Sequence, residues 1–183
     1  MTRDKSFGVE RAEIYRYGKS GVTPNPQKAI EYFLEHEATN RRLQNSDNPD
    51  YDLDIFFDNS LRARAFRSVA EIYYSLNNGQ KALEYFLKAD EYNDEWAYIS
   101  VAKIYREGKG TLKPDGVKLI EYLTKKLERE DLTDSVLYDI AKVYEEGCGS
   151  LEPNIQKALE FYRKAADLGN NSAKAELAMR HQL

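Results

Sequence analysis

Five aspartates stand close together in this chain: Asp47, Asp50, Asp52, Asp54 and Asp58, with no basic residue among them. Carboxylates at this density can hold a hard cation or dock on a basic surface. The Asp52-x-Asp54 pair lacks the glycine and the distal glutamate that complete an EF-hand loop, so no metal site is expected. His36 and His181 are too far apart for any zinc-binding helix motif, and His36 reads as a surface residue. Cys148 is the one cysteine, which excludes an intrachain disulfide and a cysteine-based zinc site. Gly108-x-Gly110 and Gly147-x-Gly149 follow helical patterns rather than strands, which removes them as phosphate loops. No Ser-His-Asp set or carboxylate pair stands out from the charged background. The expectation is a chain without catalysis, metal or cofactor.

What remains is binding chemistry. Tyr51, Leu53, Ile55, Phe56 and Phe57 lie between the aspartates; Arg41 and Arg42 precede them, and Arg62, Arg64 and Arg67 follow. Such a segment can dock on a basic partner or mimic nucleic acid toward one, with Asp50, Tyr51, Asp52 and Asp54 as contacts. Alternatively, Ile55, Phe56 and Phe57 pack under the first helices and the aspartates are solvated. The net charge of −4 argues against nucleic acid as the ligand.

These residues are placed by a recurring unit. Ala102-Lys103-Ile104-Tyr105-Arg106-Glu107-Gly108-Lys109-Gly110, then Pro114, Lys118 and Glu121-Tyr122, recurs 39 residues later. There it reads Ala141-Lys142-Val143-Tyr144-Glu145-Glu146-Gly147-Cys148-Gly149, then Pro153, Lys157 and Glu160-Phe161. Ala12, Tyr15, Gly18, Pro24, Lys28 and Glu31-Tyr32 keep the same spacing. A period of this length marks stacked helix pairs. Within a unit, helix A carries apolar residues on one face, as Ala97, Val101, Ala102 and Tyr105 do. Gly108 ends it with positive φ, and helix B follows Pro114, which fixes φ near the helix start without losing a needed bond. The second unit is shorter: Ala70 to Lys81 spans 11 residues where Ala102 to Lys118 spans 16, and Asn77-Asn78-Gly79 makes a tight turn. Ala173, Leu177, Ala178 and His181 repeat helix A alone, as an end cap. The count is nine helices in one domain over residues 1–183, interrupted by an insertion at about 38–59.

The pattern Ala-x-x-x-Leu-Gly-x-x-Tyr-x-x-Gly-x-Gly, followed by Lys-Ala-x-x-Trp/Phe-Tyr-x-Lys-Ala-Ala-x-x-Gly, resembles Sel1-like repeats, relatives of the tetratricopeptide repeat. The fourth unit matches almost throughout, with Ala141 at a usual glycine position. The third matches well in helix A, and the first is degenerate, with Arg11 at a leucine position. The resemblance implies an all-α, right-handed α-α superhelical solenoid of about four helix pairs plus a C-terminal capping helix. It also implies a concave binding face lined by helix A. Carried onto this chain, that face holds Arg64, Arg67, Glu71 and Tyr74 from the second unit. The third gives Trp96, Ile99, Lys103, Arg106 and Glu107, and the fourth Tyr138, Lys142, Glu145 and Glu146. Trp, Tyr and Arg are the types enriched at interface hot spots. The other reading packs Trp96 at a junction between repeats.

The mean hydropathy of −0.72 fits an elongated array, which keeps more of its surface wet than a sphere does. No stretch approaches the roughly 18 apolar residues of a membrane span. If Met1 is the native start, no signal peptide precedes the fold and the chain is cytoplasmic. It is taken as a monomer by default. The function these features suggest is a non-enzymatic adaptor binding a protein or peptide. A second is an inhibitor or immunity protein acting through the acidic segment or the concave face. An enzyme is the remaining alternative.

Overall fold

The structure is a computed structural model that describes residues 7–44, 55–128 and 133–180. Among the described residues there are nine α-helices and one 3₁₀ turn, Lys19–Gly21, and no strand. The helices are α1 (Phe7–Tyr17), α2 (Pro26–Gln44), α3 (Ile55–Ser75), α4 (Gly79–Glu91), α5 (Glu95–Glu107), α6 (Gly116–Leu127), α7 (Thr133–Glu146), α8 (Ile155–Asp167) and α9 (Asn171–Arg180). The four expected A/B pairs are α1–α2, α3–α4, α5–α6 and α7–α8, with α9 as the single helix after them.

The expected insertion shrinks. Residues 38–44 continue α2 and residues 55–59 open α3, so these two helices reach 19 and 21 residues. Asp47, Asp50, Tyr51, Asp52 and Asp54 lie outside the described residues, as does His181.

Each helix B starts by one device. Its N-cap side chain accepts a hydrogen bond from the backbone N–H three residues on: Asn25 from Lys28, Asn78 from Lys81, Asp115 from Lys118 and Asn154 from Lys157, at 3.0–3.2 Å. The same four residues donate their own backbone N–H to the carbonyl of a helix A tyrosine: Tyr15, Tyr73, Tyr105 and Tyr144. This bond closes the long loops and the tight Asn77-Asn78 turn alike. Helix B follows Pro114, as expected: Pro24, Pro114 and Pro153 each stand one residue before the cap, and Pro26 is itself a first helical residue.

An N-cap is worth about 1 kcal/mol over alanine. Asn78→Ala, Asp115→Ala and Asn154→Ala should each lower stability by that amount in urea denaturation. Asp115 adds a pH signature. Its carboxyl is held below the usual carboxylate range, first by the Lys118 backbone N–H and then by the Lys118 ammonium. Its contribution is present above the ordinary aspartate value and fades as the pH falls through the lowered one. The cost of Asp115→Ala should therefore shrink on acidification, whereas that of Asn154→Ala should not.

Packing divides the chain into two compact units: Met1–Val101 with Lys109–Thr111, and Ala102–Gly108 with Leu112–Leu183. The first is cored by Ala12, Ala29, Ile30, Phe33, Ala65, Val69 and Ile72. The second is cored by Leu137, Ala141, Ala158, Tyr162, Ala165 and Ala173. Alanine is the commonest residue in both cores, and it lets helix axes approach closely. His36 belongs to the first unit and is buried, not on the surface as expected. A Cβ on Gly8 would lie 3.1 Å from His36 Cβ and Nδ1, so α1 crosses α2 directly over the imidazole.

Candidate functional site

Three repeats each build an aromatic stack of the same kind. The helix A tyrosine lies against the aromatic residue of helix B, with a first-turn lysine over its ring. Tyr15 stacks on Tyr32 at 5.5 Å, Tyr73 on Tyr85 at 5.7 Å and Tyr144 on Phe161 at 5.7 Å. Lys28, Lys81 and Lys157 stand 5.1–5.2 Å from the Tyr15, Tyr73 and Tyr144 centroids. The spacing Lys-x-x-x-aromatic produces this, because residues four apart share a helix face. In the third repeat the cap is a charged aspartate, and Lys118 lies against its carboxylate at 3.2 Å. There Tyr105 and Tyr122 meet tilted, at 6.1 Å. Burial pushes the Tyr105 phenol up. These stacks are architecture, and they hold helix A so that its other face is presented.

In the first compact unit that other face is half engaged. Arg67 Nε lies 3.3 Å from Asp94 Oδ2, and Asp94 also caps α5 by accepting from the Ala97 N–H at 2.8 Å. Glu71 accepts from Arg16 Nη2 at 2.6 Å. Tyr74 meets Phe86 edge-on and carries Lys109 Nζ 4.1 Å from its centroid. Arg64 is exposed. Trp96 and Ile99 are 66% and 55% exposed, so Trp96 is not packed at a junction.

In the second unit Lys103 and Glu107 are exposed and Arg106 is half-buried. Along α5, Trp96, Ile99, Lys103 and Glu107 recur at three- and four-residue steps, which places them on one stripe. Tyr138 packs on Tyr162 at 5.6 Å. Lys142 Nζ pairs with Glu145 and Glu146, each at 3.0 Å. Glu145 is a hub: it accepts from the Tyr162 hydroxyl at 2.7 Å and pairs with Arg180 of α9, whose guanidinium covers the Tyr162 ring. Burial, and then the nearby Glu176 carboxylate, raises the Tyr162 phenol well above its ordinary value. Thus Glu145, expected on the binding face, fastens the terminal helix to α7 and α8, while Lys142 pairs within α7.

The caps, and the buried pair of Glu37 with Arg62, were not foreseen from the sequence. The caps had a signal: Pro-Asn or Pro-Asp stands at one position in three repeats. Cys148 is half-buried, with its S–H directed at the Tyr105 and Arg106 carbonyls at 3.6 and 3.4 Å. Burial raises its thiol. Among the described residues no group of three or more His, Cys, Asp or Glu side chains could hold a metal ion. Nor is any described helix long and apolar enough to cross a membrane.

No curated protein matches the chain. Among solved structures, the crystal structure of a Sel1 repeat protein from Oxalobacter formigenes superposes with a TM-score of 0.56 at 19% identity. The match covers 97% of this chain and 66% of that one, so this chain spans about two thirds of that protein's length. At this identity the likeness concerns the fold: an all-α helical-repeat solenoid. The Sel1 repeat family model matches residues 9–35, 73–89, 97–125 and 135–170. Sel1 repeats generally mediate protein–protein interactions. With four matched segments over more than half of its length, the chain belongs to the Sel1 repeat family.

Proposed function

We propose that this chain is a non-catalytic scaffold that seats a protein or peptide on the exposed stripe of α5, with Trp96 and Ile99 as anchors. The observation that carries the reading is the exposure of the chain's one tryptophan, at 66%, one helical turn from a half-exposed isoleucine. Apolar side chains of this size are rarely left adjacent in water without a use. Covering the exposed part of a tryptophan removes on the order of 100–150 Å² from water, worth about 3 kcal/mol. Lys103, one turn further on, adds a cation for orientation.

The test is parallel affinity capture with the wild-type chain and the Trp96→Ala/Ile99→Ala variant as baits, then titration of the captured partner. Neither side chain is part of the packed core, so the variant should keep its helical circular dichroism and its melting temperature. Its affinity should fall by roughly 100-fold, as expected for a hot-spot pair. Undiminished binding by the folded variant would overturn the assignment.

A further inference from the structure

Two seams in this chain are built from paired glycines. A Cβ on Gly79, the first residue of α4, would lie 2.0 Å from the Lys109 carbonyl oxygen. One on Gly110 would lie 2.2 Å from the Asn77 oxygen. The same geometry recurs at the first residue of α6: 2.6 Å from Gly116 to the Cys148 oxygen, and 2.3 Å from Gly149 to the Pro114 oxygen. There the Gly116 N–H also donates to the Cys148 carbonyl at 3.2 Å. In each case a Gly-x-Gly loop lands on the opening turn of the helix B one repeat earlier. The contact is backbone on backbone, so a side chain on either glycine has nowhere to go.

The other two helix B starts have no glycine there. Pro26 opens α2, and the repeat after it turns through Asn77-Asn78 without such a loop. Ile155 opens α8 and is 50% exposed. Ser20 takes the place of the second loop glycine in the first repeat; it keeps the left-handed φ of 56° and is exposed. At the first residue of helix B and the second loop position, glycine is thus found only where two repeats press together.

We infer that the first residue of helix B determines which kind of repeat can dock next to it. Glycine admits a repeat with a Gly-x-Gly loop, and a larger residue admits only a tight-turn repeat or solvent. Ile155 therefore closes the α8 edge to any looped repeat, whether from the same chain or from another.

The test duplicates residues 134–170 in tandem after Asn170, which keeps the repeat in register and leaves α9 at the end. Ile155→Gly is then introduced in the natural chain and in the first copy of the duplicated chain. In the natural chain it should lower the urea midpoint, since glycine weakens a helix start whose first side chain is half exposed. In the duplicated chain it should raise the midpoint, because the new loop can now land. A shift of the same sign in both chains would overturn the inference. If the duplicated chain folds with neither residue, the natural chain decides. Gly116→Ile, under a landed loop, should lower the midpoint several times more than Pro26→Ile, and equal falls would refute the rule.

Discussion

Replacing Gly79 by alanine should destabilise the first compact unit by about 3 kcal/mol, the upper range for forcing extra volume into a packed site. The added methyl would sit 2.0 Å from the Lys109 oxygen, 2.7 Å from its carbonyl carbon and 2.9 Å from its Cβ. A rotamer change cannot relieve contacts with backbone, so either the loop lifts or α4 shifts. Gly79 lies in a helix, so alanine there also gains helix propensity, and the net loss measures the seam itself. Gly21 supplies the opposite case. It has a φ of +75° and open space around its Cβ position, so Gly21→Ala should cost only the left-handed strain, about 1 kcal/mol. Urea denaturation of the two variants separates close approach from backbone strain. A Gly79→Ala protein within 0.5 kcal/mol of wild type, roughly the spread of neutral surface changes, would show that the loop does not bear on α4.

The helix pairs were legible because their causes are local. A tyrosine, a glycine and a lysine at fixed offsets report a helix end, a loop and a stack that all lie within one repeat. Gly79 was legible only as part of a tight turn, because the reason for it lies thirty residues on, at Lys109. His36 was misread for the same kind of reason: helical periodicity on α2 does not reveal that Gly8 of α1 passes over it. Glu145 occupies a helix A position like those of the second and third repeats. What engages its carboxylate is Arg180, which belongs to the next helix and has no counterpart in the repeat pattern. Trp96 differs. Its neighbours Ala97, Val101 and Ile104 are fully buried, so the helical period alone turns Trp96 and Ile99 the other way.

The second large effect belongs to a charge pair inside the first unit. Arg62 Nε on α3 lies 3.5 Å from Glu37 Oε1 on α2, and the two side chains are only 8% and 5% exposed. The guanidinium also covers the Tyr92 ring at 5.3 Å and reaches its hydroxyl at 3.4 Å. Taking two charges out of water is costly, and their attraction offsets that cost only while both are present. Arg62→Ala leaves a buried carboxylate without this cation and opens a gap beside Tyr92. It should cost about 3–5 kcal/mol. The double replacement Glu37→Leu/Arg62→Met, which keeps the volume and removes both charges, should cost far less than either single change. That non-additivity, read from a double-mutant cycle in urea, is the signature of a desolvated pair as opposed to a surface one, worth at most about 1 kcal/mol. Additive losses, or an Arg62→Ala cost below 1 kcal/mol, would show that the pair is solvated in practice. The placement gives the pair its purpose: α2 and α3 belong to consecutive repeats, and their connection crosses the aspartate-rich stretch. An ion pair that fits in one register holds those helices together independently of that stretch. The α3 face with Arg64 and Arg67 thereby keeps a fixed relation to the α1–α2 pair.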